Sequence, residues 1–423
     1  MDEKSFDPIN ENPVTEPWES PKPAGKKTLH TVLQYLCFGV FVASLTIAGV
    51  LLWQNHQAQK EKNQEEKPPV VEQGPATGLT REEASLVVAT LQKDGATPEE
   101  LTNATLSLYY WDTFYEFYET YYNYLAYMNL EPNAMDSTAC TLSPEQTWQE
   151  YFVDQALQRY TSQTAVYNLA MAEGYKLSDE GQKQYDDNRK AMAENEKIGE
   201  LIQETYGEAI TLEEYLDYWT VLYYYSFYVA EKMEKTDYTV DELSKFYDEH
   251  AEDYEQLNIS KTDKNVVTIR HILIEPTDKT VDADWTAAKD TAEQVYNQWL
   301  AGDKTEESFA ALAKEHSADG NNAQGGIYEG VYPGKMVQTF NDWCFDDTRK
   351  TGDSGIVETE FGYHIMYFVE EGDYIYWQEV VAADYVAQLT NSWVDEVAAT
   401  YTLESNKDQI LLTLPGQVAA VAD

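Results

Sequence analysis

The chain has little cysteine and few basic residues for its length. Its 423 residues include three cysteines, six histidines and 29 lysines and arginines, against 75 aspartates and glutamates. So few cysteines exclude a disulfide scaffold, and a net charge of −46 would repel the phosphates of a nucleic acid. No metal-ligand spacing, phosphate-binding glycine loop or nucleophile elbow stands out in the sequence. We therefore expect no nucleic-acid partner, no metal and no cofactor.

The spacing of the three cysteines does not indicate a disulfide framework. Cys37 lies in an apolar run, whereas Cys140 and Cys344 are far apart in the sequence. A bridge between Cys140 and Cys344 is an alternative outside the cytoplasm, where disulfides persist. Because unpaired buried cysteine is common, we expect these side chains to pack in the core, with Cys344 on a helix.

Residues 29–53 form a long apolar segment. The segment contains no Asp, Glu, Lys or Arg, and about 20 apolar residues suffice to cross the hydrocarbon layer. Lys22, Lys26 and Lys27 precede it, and the positive-inside tendency places that side in the cytoplasm. We predict a transmembrane helix in a single-pass cell-membrane protein whose C-terminal domains are extracytoplasmic. A cleaved signal peptide and a lipid-modified Cys37 are the alternatives.

Changes in composition divide the rest of the chain into a predicted tail, a stalk and folded domains. Residues 1–28 are rich in proline and poor in apolar residues, which predicts a disordered cytoplasmic tail. Residues 54–78 predict a solvated stalk, and residues 79–264 a mostly helical, chaperone-like domain. Two pairs in this domain have capping-box spacing and predict helix starts: Thr80 with Glu83, and Thr97 with Glu100.

Two segments of this domain, residues 108–130 and 215–233, are rich in tyrosine. Both lack glycine and proline and are long enough for several helical turns. Tyrosine combines apolar area with a hydrogen-bonding tip. These helices therefore form either a core or homodimer seam, or a surface for an unfolded polypeptide, and the sequence leaves both open.

Short β-branched strands alternate with helices over residues 265–373. A buried strand is predicted at 266–274, and helices at about 283–301 and 309–316. Residues 374–423 begin as an amphipathic helix that we expect to pack on the helical domain. The helical domain would then be discontinuous, with the 265–373 segment inserted into it.

The 265–373 segment carries an ordered set of short motifs. They are Arg270-His271-Ile272-Leu273-Ile274, Phe309-Ala310-Ala311-Leu312-Ala313, Gly325-Gly326, Gly334-Lys335-Met336-Val337, Phe340, Thr351-Gly352-Asp353 and Gly362-Tyr363-His364-Ile365. This succession resembles the parvulin, or rotamase, family of peptidyl-prolyl isomerases. Together with the flanking helices, it resembles membrane-anchored foldases of the PrsA or SurA type.

The resemblance implies an α+β fold, with a four-stranded antiparallel sheet wrapped by helices in the inserted domain. It also implies a histidine pair on central strands, with His271, His364 and Asp319 as the catalytic residues. The histidines either act directly or shape the site through a buried hydrogen-bond network. The substrate-binding residues that the resemblance implies are Met336, Phe340, Tyr328, Thr359 and Phe361.

The implied function is peptidyl-prolyl cis/trans isomerisation and chaperone action on secreted or cell-envelope proteins outside the cytoplasmic membrane. The partners would be unfolded polypeptides that contain X-Pro bonds. One alternative is a holdase whose parvulin domain only binds, and another is a structural protein that dimerises through its tyrosine-rich helices. The loop after the first strand lacks clustered Arg or Lys, so we expect no selectivity for phosphorylated substrates.

Overall fold

The computed structural model describes residues 78–125, 127–132 and 134–413, without the side chains of Asn123 and Glu196. The predicted tail, the predicted transmembrane helix with Cys37 and nearly all of the predicted stalk lie outside these residues. Within the described ranges, no helix combines the length and the apolar character needed to cross a membrane.

The described chain forms two compact units. The first, here called the sheet unit, comprises Tyr238–Tyr385. The second, here called the helical unit, comprises the described residues up to Asp237 and those from Val386 onward. The helical unit is therefore discontinuous in sequence, and one helix, Tyr376–Ala398, contributes residues to both units.

The helical unit combines helices with a small antiparallel sheet. Its helices are α1 (Arg81–Ala84), α2 (Asn103–Thr120), α3 (Trp148–Ala172), α4 (Asp179–Glu194), α5 (Glu196–Tyr206) and α6 (Leu212–Glu234). Its strands are β1 (Val87–Gln92), β2 (Glu99–Thr102) and β7 (Thr402–Ser405), in the order β2-β1-β7. Capping boxes begin α3 at Thr147 and α6 at Thr211, where each threonine pairs with the glutamate three residues later.

One of the two predicted capping boxes near the start of this unit is confirmed and the other is wrong. Thr80 and Glu83 do cap a helix, although α1 is only four residues long. Thr97 and Glu100 do not begin a helix, because Glu100 belongs to β2 and lies opposite Thr90 of β1. Pairing with a neighbouring strand overrides the local signal there.

The tyrosine-rich segments form much of the core of the helical unit. In α2, Tyr109, Tyr110, Trp111 and Phe114 are buried, and α6 buries several aromatic residues in the same cluster. The interpretation as a core is confirmed for these residues. Within the first segment, the helix α2 ends at Thr120, so the last ten residues of the segment lie beyond it.

A buried carboxylate lies among these rings. Asp112 accepts hydrogen bonds from the hydroxyls of Tyr206 at 2.6 Å and Tyr218 at 2.5 Å. Burial raises the pKa of Asp112, although Arg159 and the two hydroxyls favour its ionised form. The tyrosine hydroxyls therefore satisfy a polar group that would be costly to bury alone.

The sheet unit contains the predicted four-stranded antiparallel sheet. Its strands are β3 (Val267–Ile274), β4 (Ile327–Val331), β5 (Ser354–Thr359) and β6 (Gly362–Glu371), in the order β4-β3-β6-β5. Its helices are α7 (Val240–Glu249), α8 (Ala251–Gln256), α9 (Asp282–Ala301), α10 (Glu306–His316), α11 (Gln338–Cys344) and the first part of α12 (Tyr376–Ala398). The predicted α+β class is confirmed.

The two faces of this sheet pack against different helices. Ile272 and Ile365 lie on the face covered by α9 and α10, in a cluster with Phe309. Met366 lies on the opposite face, in a cluster with Phe340 and Cys344 of α11. The predicted packing of Cys344 in the core is confirmed. Cys344 and Cys140 are both buried and free, so the structure contains no bridge between them.

Candidate functional site

The two predicted histidines meet on the α11 face of the sheet. In the β3–β6 ladder, Leu273 lies opposite His364 and His271 opposite Met366. This register makes the two histidines diagonal neighbours on one face. Their Nδ1 atoms are 3.0 Å apart, and the side chains of His271 and His364 are only 3% and 5% exposed. The pair is therefore a hydrogen-bonded unit inside the fold.

Thr359 holds the outer nitrogen of the pair. Its hydroxyl oxygen lies 2.8 Å from Nε2 of His364 and also accepts a hydrogen bond from the backbone N–H of Phe361 at 3.1 Å. Thr359 ends β5 and Gly362 begins β6, so a very tight turn separates the two strands. Gly362 has φ +145°, and a Cβ there would lie 2.4 Å from the carbonyl oxygen of Ile274. Glycine is therefore required where the turn approaches β3.

Asp319 lies at the other end of the pair. Its Oδ1 atom is 3.5 Å from Nε2 of His271, and it accepts hydrogen bonds from the backbone N–H of Asn321 at 2.9 Å and the hydroxyl of Tyr328 at 3.1 Å. Burial alone would raise the pKa of Asp319, but the contact with His271 and these two hydrogen bonds lower it to about 2. Asp319 is therefore an anion at neutral pH.

If both rings are neutral, one arrangement of protons is compatible with these contacts. Nε2–H of His271 faces the carboxylate of Asp319, and Nδ1 of His271 accepts from Nδ1–H of His364. Nε2 of His364 then accepts from the hydroxyl of Thr359, which is free to donate because it accepts from Phe361. Burial lowers the pKa of His364 to about 3, which keeps this ring neutral.

An aromatic wall flanks the polar chain. The ring of Phe340 packs edge-on against His271 and His364, with ring centroids 5.4 and 5.3 Å apart. The ring of Tyr328 packs edge-on against His271 at 5.1 Å. Met336 is half-buried and packs against the cluster that contains Phe340. The site thus combines a fixed anion and a neutral polar chain with an apolar surface.

The structure brings together most of the residues predicted for the site. Six of them form a continuous set of contacts: His271, His364, Asp319, Tyr328, Thr359 and Phe340. Met336 joins them only through its apolar cluster. Phe361 is exposed, reaches the set through its backbone N–H, and lies 5.3 Å from the ammonium of Lys279.

Three further residues position the site, and the sequence did not assign them this role. The hydroxyl of Ser317 accepts from the backbone N–H groups of Leu273 and Asp319, which ties the Asp319 loop to β3. Asn321 fixes the carboxylate of Asp319 through its own N–H. Gly326 accepts from the N–H of His271, and a Cβ there would lie 2.1 Å from the carbonyl oxygen of His271. Of these three residues, only Gly326 belongs to a motif that is recognisable in the sequence, the Gly325-Gly326 pair.

No group of three or more His, Cys, Asp or Glu side chains that could hold a metal ion occurs in the part of the chain that the structure describes. Most polar groups of the site are hydrogen-bonded to one another or to the backbone, and Nε2 of His271 lies 3.5 Å from the carboxylate of Asp319. This arrangement fits chemistry that the side chains carry out by shape and electrostatics.

Comparisons with known proteins agree with this geometry. Residues 255–371 match the family described as the PPIC-type PPIase domain, so this segment is a parvulin-type domain. The chain is 36% identical over 140 residues to the foldase protein PrsA of Caldanaerobacter subterraneus subsp. tengcongensis, which covers 33% of this chain and 37% of that protein. It is 33% identical over 136 residues to the foldase protein PrsA 1 of Listeria innocua, which covers 31% of this chain and 41% of that protein.

The chain thus spans less than half the length of the curated relatives it matches. Among solved structures, the crystal structure of PrsA from Bacillus subtilis aligns with 24% identity over 63% of this chain and 91% of that chain, with a TM-score of 0.21. This score is too low to bear on the fold. The similarity therefore identifies a domain and a resemblance to PrsA foldases.

Proposed function

We propose that the chain is a parvulin-type peptidyl-prolyl cis/trans isomerase and chaperone that assists the folding of secreted or cell-envelope proteins. The observation that carries this proposal is the buried His271–His364 pair, with the anionic Asp319 at one end and Phe340 across both rings. The match of residues 255–371 to the PPIC-type domain supports the same reaction.

The reaction needs no covalent intermediate. Rotation about an X-Pro bond faces a barrier of ~18–20 kcal/mol because amide resonance keeps the bond planar. An enzyme accelerates the rotation by binding the twisted amide more tightly than either planar form. Phe340 and Met336 supply apolar surface for the pyrrolidine ring, and this surface keeps water from the bond that rotates.

Asp319 supplies the electrostatic part of the proposed mechanism. Resonance in the planar amide places partial negative charge on the carbonyl oxygen. A fixed carboxylate near that oxygen disfavours the planar form and favours the twisted form, in which the charge is smaller. Tyr328 and Asn321 hold the carboxylate in place before substrate arrives.

His271 and His364 act in this proposal as positioning residues. The chain of contacts from Asp319 to Thr359 contains no proton that must leave during the proposed reaction. Its hydrogen bonds fix both rings against Phe340, so the apolar wall and the carboxylate keep one geometry. This role differs from general acid–base catalysis, in which a ring would give or take a proton during the reaction.

The proposed partners are unfolded polypeptides that contain X-Pro bonds. We also propose that residues 29–53 anchor the chain in the cell membrane, with the N-terminus in the cytoplasm and both units outside it. The uninterrupted apolar composition of these residues and the lysines that precede them support this location.

A protease-coupled cis/trans assay on the full chain tests the activity, with two matched variants. Phe340→Leu and Phe309→Leu each shorten a buried phenylalanine, one on either face of the same sheet. We expect both to lower stability by a similar amount of about 1 kcal/mol. Only Phe340→Leu should lower kcat/KM per folded molecule, by about tenfold, because only Phe340 contacts the histidines.

The alternative function, a holdase with an inactive parvulin domain, makes a different prediction in the same assay. The wild-type chain would then leave the cis/trans rate unchanged, while it still suppressed aggregation of a proline-free client. Equal loss of kcat/KM in Phe340→Leu and Phe309→Leu would contradict the proposed role of the α11 face.

A further inference from the structure

Four tyrosines that follow α2 are exposed, in contrast with the aromatic residues inside that helix. Tyr121, Tyr122, Tyr124 and Tyr127 have exposed fractions of 40, 56, 59 and 86%. We call these four side chains the tyrosine cluster. Four exposed rings within seven positions present apolar area to water, and exposed apolar area commonly binds a partner.

Part of the tyrosine cluster is continuous with the core. The ring of Tyr121 lies 4.7 Å from that of Phe117, and the ring of Tyr122 lies 5.7 Å from that of Tyr118. Both inner rings are partly buried and pack against the main cluster of the helical unit. The first two tyrosines of the cluster are therefore held in place before any partner binds, which lowers the entropy cost of binding.

The stretch of sequence that contains the tyrosine cluster carries charge of one sign. Between Lys93 and Arg159 the sequence contains no Lys, Arg or His, and every charged side chain is Asp or Glu. Glu119 and Glu131, both exposed, flank the cluster in sequence. The helix α2 also ends at Thr120, beside the cluster, with no basic residue in its last turn. A helix C-terminus favours positive charge, so the helix and the carboxylates act in the same direction.

We propose that the tyrosine cluster is a docking surface for Lys- or Arg-containing segments of an unfolded polypeptide. This proposal rests on the proposed chaperone function, which supplies such polypeptides. Aromatic faces attract ammonium and guanidinium groups, and nearby carboxylates add to the attraction. An acidic segment or a nucleic acid would be repelled by the same carboxylates.

The helical unit already contains this kind of contact. The ammonium of Lys232 lies 5.1 Å from the ring centroid of Tyr228 and 5.5 Å from that of Trp393. The tyrosine cluster offers the same type of ring to solvent in a stretch of sequence that has no lysine or arginine of its own. A cationic segment of a client would supply the missing group.

Fluorescence anisotropy with the full chain tests this proposal. The probes are two labelled, proline-free unfolded peptides of identical sequence, except that the lysines of one are glutamines in the other. Replacing all four tyrosines of the cluster by leucine keeps apolar area and removes the strong attraction of the ring face for cations. We expect this variant to bind the lysine peptide about tenfold more weakly and the glutamine peptide nearly unchanged.

Two controls keep the test interpretable if the leucine variant folds poorly. Tyr238→Leu removes an exposed tyrosine of the sheet unit and should leave both affinities unchanged. Glu119→Gln with Glu131→Gln keeps the rings and should weaken only the lysine peptide, by about threefold, with a loss that shrinks as salt is added. The cis/trans activity of each variant on a short peptide should match that of the wild type.

Several outcomes would overturn the proposal. Equal binding of the two peptides by the wild type, or unchanged lysine-peptide affinity in the leucine variant, would show that the cluster does not select cations. A wild-type dimer in sedimentation that dissociates in the leucine variant would show that the cluster is a contact between two copies. If cis/trans activity were present while the peptide result failed, this inference would be wrong and the proposed isomerase function would stand.

Discussion

The stability of the sheet unit should depend on pH through His364. Its pKa in the folded state is lowered from 6.5 to about 3, mainly because burial disfavours the charged ring. The unfolded chain therefore takes up a proton at a higher pH than the folded chain does. The contribution of His364 to stability is present above pH 6.5 and is lost as the pH falls from 6.5 toward 3.

The two pKa values set the size of the effect. Between pH 7 and pH 5, the linkage relation gives a loss of about 2 kcal/mol in the free energy of unfolding. Asp319 contributes little to the loss of stability between pH 7 and pH 5. Its pKa lies near 2 in the folded chain and at 3.8 in the unfolded chain, so it is ionised in both throughout this range. Of these two groups, we therefore expect His364 to account for the change between pH 7 and pH 5.

Hydrogen exchange of the β3 and β6 amides in the full chain measures this change in the sheet unit itself. Opening free energies should fall by about 2 kcal/mol from pH 7 to pH 5 in the wild type. The fall should be absent in His364→Gln, which cannot titrate, and present in the control His250→Gln. A wild-type fall that persists in His364→Gln, or a His364 ring that NMR shows titrating near pH 6.5, would refute the reasoning.

Two further predictions concern the surroundings of the histidines. Gly326→Ala should destabilise the sheet unit by about 2–3 kcal/mol more than Gly352→Ala does, as measured by urea unfolding. Both glycines have positive φ, but a Cβ would lie 2.1 Å from a backbone oxygen of β3 only at Gly326, whereas Gly352 has open space. Equal losses of stability in Gly326→Ala and Gly352→Ala would contradict the close approach of Gly326 to β3. Asp319→Asn should lower kcat/KM at least tenfold at pH 7 without weakening the binding of an X-Pro peptide, because the charge disfavours the planar amide and favours the twisted one. The same variant should lose less stability than the wild type as the pH falls from about 4 to 2, because it lacks the contribution of Asp319; unchanged activity or an unchanged acid transition would count against this role.

Much of the sheet unit could be predicted because its signals are local. The apolar run at 266–274 predicted a buried strand, and the structure has β3 at Val267–Ile274. The predicted helices at about 283–301 and 309–316 correspond to Asp282–Ala301 and Glu306–His316. In each case the side-chain pattern within one segment determines the element.

The small sheet of the helical unit could not be predicted in the same way. Strand β1 pairs with Thr402–Ser405, and this partner lies near the far end of the chain. Thr97 and Glu100 have the spacing of a helix start, but pairing of Glu99–Thr102 with β1 decides the structure. Strand pairing depends on a partner outside the segment, near in the sequence for β2 and far for β7, so the capping rule applied to one segment predicted the wrong element.

The residues of the site also divide into those that the sequence predicts and those that only the structure reveals. His271, His364 and Phe340 stand in motifs, and the register that makes the histidines diagonal neighbours requires only that β3 and β6 pair as parvulin strands do. Ser317 and Asn321 act through single hydrogen bonds to loop backbone and side chain. Such contacts depend on the path of the loop, which the residue types alone do not determine.

Exchange NMR on a short X-Pro peptide with the full chain tests the proposed isomerase function most directly. The uncatalysed interconversion takes roughly 10–100 s at 25 °C, so it gives no exchange cross-peaks between the cis and trans signals. We predict that a catalytic amount of the wild-type chain produces these cross-peaks, and that the peptide shifts the amide signals of His271 and His364. If the peptide shifted these signals without any cross-peaks, the parvulin domain would be a binding module and the proposed isomerase function would be wrong.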